Sequence, residues 1–185
     1  MNGYTHYCQA DNRWKDRRLR THGTMGAKGC LISAAAIKAT GEGGADATPG
    51  TIDAYMDTHN GYTSRDWAKW NVVAAAISEA TGRTCEWVEN RAVTASSLRD
   101  YKIEDGNFPL LRVKTSRRTN HYVLLVDPRE GTIIDPGTFQ DEPHTLAAKR
   151  YTPNRISIFR YTDKPEVVAP VESPKRKRKG WTSKK

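Results

Sequence analysis

Cys30 stands directly after Gly29 and opens a run of helix-forming and small residues, Cys30-Leu31-Ile32-Ser33-Ala34-Ala35-Ala36-Ile37-Lys38. A thiol attacks as its thiolate, and the unpaired N–H groups and dipole at a helix N-terminus favour that anion. Cys30 therefore suits a nucleophile. The structural alternative is a small buried hydrophobe that begins an alanine-rich helix. Gly26 and Gly29 place no side chain before Cys30, which would let a substrate backbone approach closely. His121 opens one apolar run and Asp135 closes another, with Asp127-Pro128-Arg129-Glu130-Gly131 between them as a hairpin turn. Pairing of those strands would bring the imidazole and the carboxylate to one sheet end. There the carboxylate can fix the tautomer of a base that serves a thiol. Taken singly, His121 also reads as a histidine bonding a turn, and Asp135-Pro136-Gly137 as an ordinary turn.

The elements that must position these groups change period along the chain. Residues 3–29 are polar and glycine-containing and read as mostly loop; the apolar helix from Cys30 stops at Gly41 and Gly43-Gly44 and, being apolar all round, should be central and buried. Thr48-Pro49 marks the start of a second helix, with Ile52, Tyr55, Met56 and His59 at helical spacing and an end near Gly61. A third is expected over about residues 67–80, with Trp70, Val73, Ala74, Ile77 and Ala80 on one face and Gly82 after it. Residues 84–89, 109–114, 121–126, 132–134 and 156–161 are short β-branched or aromatic runs that read as a sheet, preceded by a short helix around residues 95–101. The folded domain is expected over residues 1–162, followed by a proline-containing linker and basic tail over 163–185.

Several of these residues, taken in order, resemble one known family. Gln9, Asp11 and Trp14, then Gly29-Cys30 opening a small-residue helix, then Asn120-His121-Tyr122-Val123-Leu124-Leu125-Val126 and Ile134-Asp135-Pro136 are similar to the bacteriocin-leader-processing (double-glycine peptidase-like) type of papain-like cysteine peptidase. The resemblance spans residues 7–161. It implies an α+β, papain-like fold in which an N-terminal helical half packs against a C-terminal antiparallel β-sheet. It also implies a cysteine-dependent hydrolase of an amide bond in a peptide, a protein or peptidoglycan, with no metal or organic cofactor. In that family a glutamine precedes the cysteine by about twenty residues, and here Gln9 precedes Cys30 by 21. Carried over, Gln9 would donate its side-chain amide to the oxyanion beside the Cys30 backbone N–H, His121 would be the base, and Asp135 would orient it. One departure bears on substrate preference: Leu31 and Ile32 stand between Cys30 and Ser33, where relatives carry a small residue and then a threonine or serine. Folds of this kind also host acyl transfer and deamidation. A reading of another class is a catalytically silent module of the same fold, used for binding or assembly, as in a phage particle, and anchored by a basic tail.

The whole chain narrows the remaining choices. Cys8, Cys30 and Cys85 are odd in number and lack paired metal-ligand spacing, so neither a disulfide framework nor a zinc site is expected; Cys8 and Cys85 read as buried reduced thiols, with a bridge between them as the alternative. Of the 30 Lys and Arg residues behind the net charge of +9, seven lie from Lys175 onward with no acid among them; the others are nearly balanced by 21 acidic residues. Nucleic-acid binding by the body is accordingly disfavoured. The segment holding Lys175, Arg176, Lys177, Arg178 and Lys179 suits an anionic partner, whether nucleic acid, envelope polymer or acidic protein, or serves only as a solubilising end. No apolar stretch approaches the roughly 20 residues of a membrane span. The start Met1-Asn2-Gly3-Tyr4 lacks the features of a secretory signal, so cytoplasmic synthesis is expected, with delivery in a particle or release by lysis as routes out. His6, His22, His59 and His144 are assigned surface or structural roles, and Trp14, Trp67, Trp70 and Trp87 core or groove-wall roles, with Trp67 and Trp70 forming one wall of a cleft.

Overall fold

The computed structural model describes residues 3–20, 23–65 and 67–163. The expectations for His22 and for the basic tail lie outside these residues. The first segment is loop apart from a short antiparallel ladder of β1 (Arg18–Leu19) and β2 (Gly23–Thr24), followed by α1 (Met25–Lys28). Thr24 caps α1 by accepting a hydrogen bond from the Ala27 backbone N–H. α2 (Cys30–Thr40) follows at once, with every residue from Leu31 to Ala39 buried. Four alanines make such all-round burial feasible, because their small side chains let neighbouring elements approach on each side. The one charge in that stretch, Lys38, pairs with Glu42 and lies 5.3 Å from the Phe108 ring centroid, so its burial is compensated.

α3 (Pro49–Thr58) starts in a capping box between Thr48 and Thr51, with Pro49 at the first position, where its missing N–H costs nothing. α4 (Trp70–Thr81) ends at Gly82, whose φ of 66° is the left-handed cap that glycine adopts without strain. Trp67 is not part of this helix. It is 68% exposed and precedes an N-cap at Lys69, because the Tyr62–Ala68 bridge and the hydrogen bond from Lys69 N to Gly61 O hold the approach extended. The expected wall of Trp67 and Trp70 at helical spacing is thereby corrected: Trp70 alone packs inward, edge-on to Tyr122 and Phe159.

The second half holds β3 (Cys85–Ala92), α5 (Ala95–Arg99), β4 (Asn107–Lys114), β5 (Asn120–Asp127), β6 (Thr132–Ile134), β7 (His144–Thr145) and β8 (Thr152–Tyr161). β3 to β8 form one antiparallel sheet in the order β3-β8-β4-β5-β6-β7. The chain is thus a mixed α+β protein in which helices dominate the first half and an antiparallel sheet the second. Both faces of the central strands are covered. Phe108, Leu110, Leu124 and Phe159 join the helices in one core cluster, while Leu111, Val113, Val123, Leu125 and Ile156 join Val93, Leu98 and Leu146 in another. Burial on both faces explains the near-continuous apolar runs of β4 and β5.

Candidate active site

His121 lies near the start of β5, and Asp135 immediately follows β6. The β5–β6 register sets Leu124 opposite Ile134, which brings the two polar residues to the same sheet end. There His121 Nε2 donates to Asp135 Oδ1 at 2.7 Å, as expected from the hairpin. Asp135 is only 1% exposed, yet its carboxylate is well supplied with donors. Gly137 N reaches Oδ1 at 2.7 Å, the Tyr151 hydroxyl reaches Oδ2 at 3.0 Å, and Lys149 Nζ lies 3.6 Å from Oδ2. Burial opposes the charge of Asp135, but these bonds, chiefly that of His121, hold its carboxyl well below the usual carboxylate range. Burial likewise disfavours the imidazolium of His121; the bond to Asp135 and the influence of the nearby Cys30 sulfur outweigh it and push the group up to about 9. Gly137 has a steric role as well, since a Cβ there would lie 3.1 Å from His121 Nε2.

With Nε2 engaged by Asp135, Nδ1 is the ring nitrogen of His121 left over, and Cys30 is among the neighbours that favour the imidazolium, while its Sγ lies 4.0 Å from Lys28 O. Cys30 is the first residue of α2 and is partly exposed. Its backbone N–H has no acceptor within its own helix, as for every residue of a first helical turn. The turn between α1 and α2 sets this position. Gly29 N donates to Met25 O at 2.7 Å, and a Cβ on Gly29 would fall 2.1 Å from Met25 Sδ and 2.5 Å from Met25 O. Gly29 is itself buried. Its role as a passage for substrate backbone is therefore corrected: the missing side chain makes room for Met25. Gly26 also faces inward, where a Cβ would meet Lys15 Cβ at 3.1 Å.

Gln9 bridges the two halves. Its backbone N–H donates to Pro136 O and its side-chain Nε2 to Gly26 O, both at 2.8 Å. It thereby sits between the turn that carries Asp135 and the helix that precedes Cys30. An amide nitrogen has two hydrogens, so the bond to Gly26 leaves one N–H of Gln9 for another acceptor. The loop around Gln9 is anchored in turn by Lys15 O and Arg17 O, which accept from Gly26 N and Met25 N, and by Arg17 Nε, which bonds Asp53 Oδ2 at 3.0 Å. Trp14 is buried, as expected, and donates its indole N–H to Cys8 O.

Three side chains at the site escaped the sequence reading: Tyr151, Lys149 and His6, whose Nε2 lies 3.1 Å from Asp135 O. No local pattern marks them, because the contacts are made only when the segment before β8 and the N-terminal segment close on the β6 turn. His59 and His144 lie elsewhere, the first stacked on Tyr55 and the second in β7. Cys8 and Cys85 are buried free thiols. Burial raises both, Cys85 to about 12. A cavity of about 500 Å³ is lined in part by Cys85, Ser78 and Arg83, and another of about 340 Å³ by Lys38, Arg83 and Tyr161. Neither is lined by a cysteine–histidine pair. Among the described residues no cluster of three or more His, Cys, Asp or Glu side chains is arranged to hold a metal, and no helix is long and apolar enough to cross a membrane. Comparison of the chain with protein-family models and with curated proteins finds no match.

Proposed function

We propose that the protein is a papain-like cysteine-dependent hydrolase of amide bonds in a peptide, a protein or peptidoglycan. The observation that carries this reading is His121, held by Asp135 at 2.7 Å and close enough to Cys30, at the start of α2, for the sulfur to favour its imidazolium. A positive imidazole beside a cysteine at a helix N-terminus is the setting in which thiols act as thiolates. The Cys30 sulfur adds to the carbonyl carbon, and the π electrons move to the oxygen. That oxyanion is met by the free amide N–H of Gln9 and the backbone N–H of Cys30. His121 gives its proton to the leaving nitrogen as the C–N bond breaks, which leaves a thioester. It next takes a proton from water, whose oxygen attacks the thioester and releases the acid and the thiolate.

The test is incubation with a thiol-reactive epoxide followed by peptide mapping, together with hydrolysis of a peptide mixture and of peptidoglycan. Rapid labelling confined to Cys30, abolished by His121→Ala, is expected along with turnover that Cys30→Ala removes. Absence of turnover with Cys30 unreactive would favour a silent binding or assembly module. The segment from Lys175 to Lys179 is proposed to engage an anionic partner. Retention of the full chain on heparin should fall steeply with salt and be lost when residues 175–185 are deleted.

A further inference from the structure

Asp135 is gripped at both oxygens, and the grip on the second one comes from a residue that the hydrolase reading leaves without a role. His121 and Gly137 occupy Oδ1, whereas the Tyr151 hydroxyl donates to Oδ2 at 3.0 Å. The same tyrosine ring stands edge-on to the His121 ring, with centroids 5.9 Å apart and an interplanar angle of 68°. Tyr151 thereby contacts both His121 and Asp135. Its placement is built into the turn before β8: Tyr151 N donates to Leu146 O at 2.9 Å, and Arg150, just before it, adopts a φ of 54°. The left-handed arginine closes a local turn, in which Arg150 N also donates to Ala147 O at 3.0 Å. The chain turns there and delivers the phenol to the carboxylate.

We propose that Tyr151 is a positioning residue that locks the Asp135 carboxylate in the plane that serves His121. A carboxylate held only through Oδ1 can rotate about its Cβ–Cγ bond, and each rotation lengthens the bond to His121 Nε2. Pinned at Oδ2 as well, it keeps that bond in place and directs the other ring nitrogen at Cys30. The groups facing the pair are Cys30 from α2, Lys149 and Tyr151 from the segment before β8, and His6 and Cys8 from the N-terminal segment. Of these, only Tyr151 offers Asp135 a neutral, directional donor, while Lys149 at 3.6 Å acts as a more distant charge. The catalytic consequence rests on the hydrolase reading; the effect on His121 does not.

The experiment follows the His121 ring by NMR across pH in the full chain, beside the pH dependence of Cys30 labelling. In Tyr151→Phe, which keeps the ring, the His121 midpoint should fall by about one pH unit as the Asp135 bond loosens. In an Asp135→Asn background the same substitution should leave the midpoint where it was, since a residue acting through another loses its effect when that other is gone. Tyr151→Leu should shift the midpoint as Phe does. An unchanged or raised midpoint in Tyr151→Phe, a shift seen only with Leu, or an equal shift in the Asp135→Asn background would overturn the proposal. Should Cys30 of the parent protein resist labelling, the hydrolase reading fails, and the titration still decides the role of Tyr151.

Discussion

Gln9 donates its backbone N–H to the carbonyl of Pro136 at 2.8 Å, which ties the loop before Cys30 to the turn that carries Asp135. The backbone bond survives any substitution with a free N–H, so Gln9→Ala removes only the side-chain amide and its bond to Gly26 O. Loss of that bond should cost about 1 kcal/mol of stability. Turnover should fall by about 10²–10³, the usual effect of deleting one oxyanion donor, while Cys30 labelling persists. Steady-state kinetics beside a melting curve separates the two effects. Unchanged turnover in a folded Gln9→Ala protein would remove Gln9 from the mechanism.

The two other thiols provide an internal control. Cys8 and Cys85 are 4% and 7% exposed, and burial raises both thiols, so at neutral pH they should alkylate at least tenfold more slowly than Cys30. Denaturant should bring all three to similar rates. Mass spectrometry of timed alkylation gives the comparison, and fast native labelling of Cys8 would contradict its burial.

How far the sequence discloses this arrangement differs residue by residue. His121 and Asp135 could be paired in advance because a hairpin turn separates two apolar runs, and hairpin geometry is local. The runs themselves, Leu110-Leu111 and Val123-Leu124-Leu125, were legible since both faces of their strands are buried. Trp67 falls outside the helix although the period of Trp70, Val73 and Ile77 continues back to it, because the Tyr62–Ala68 bridge that precedes the helix start at Trp70 is a pairing no period reports. At Gly29 the sequence suggests an opening for substrate, because a missing side chain looks the same whether it admits a ligand or Met25. Tyr151, sixteen residues from Asp135, meets it only through the fold.

The contact between Gly29 and Met25 makes a second structural prediction. A Cβ at 2.5 Å from Met25 O meets backbone, which cannot swing aside as a side chain would. Gly29→Ala should therefore destabilise the protein by about 1–3 kcal/mol. Because Gly29 is the N-cap of α2, the shift should also move Cys30 away from His121. Denaturant unfolding and Cys30 labelling rate should fall together. A stable Gly29→Ala protein with normal labelling would show that the α1–α2 turn is looser than these distances require.

The His121–Asp135 pair should leave a mark on stability as a function of pH. Folding raises the His121 pKa from its ordinary value to about 9. The stability it contributes is accordingly complete below about 6.5 and is lost as pH rises through about 9. Folding depresses the Asp135 pKa, so its contribution is complete above the ordinary aspartate value, about 4, and is lost as pH falls. Both contributions are complete together only between about 4 and 6.5. Asp135→Asn keeps the shape of the side chain and removes its charge, which should lower the unfolding free energy by about 1.5–3 kcal/mol in that window. Above about pH 9 the gap should narrow, because a neutral imidazole gains less from the carboxylate, and in strong acid it should narrow again as Asp135 is protonated. Urea unfolding of both proteins at pH 3, 5.5 and about 9.5 provides the comparison. A difference of constant size across that range would mean that Asp135 contributes through shape and neutral hydrogen bonds, and that its charge does not set the state of His121.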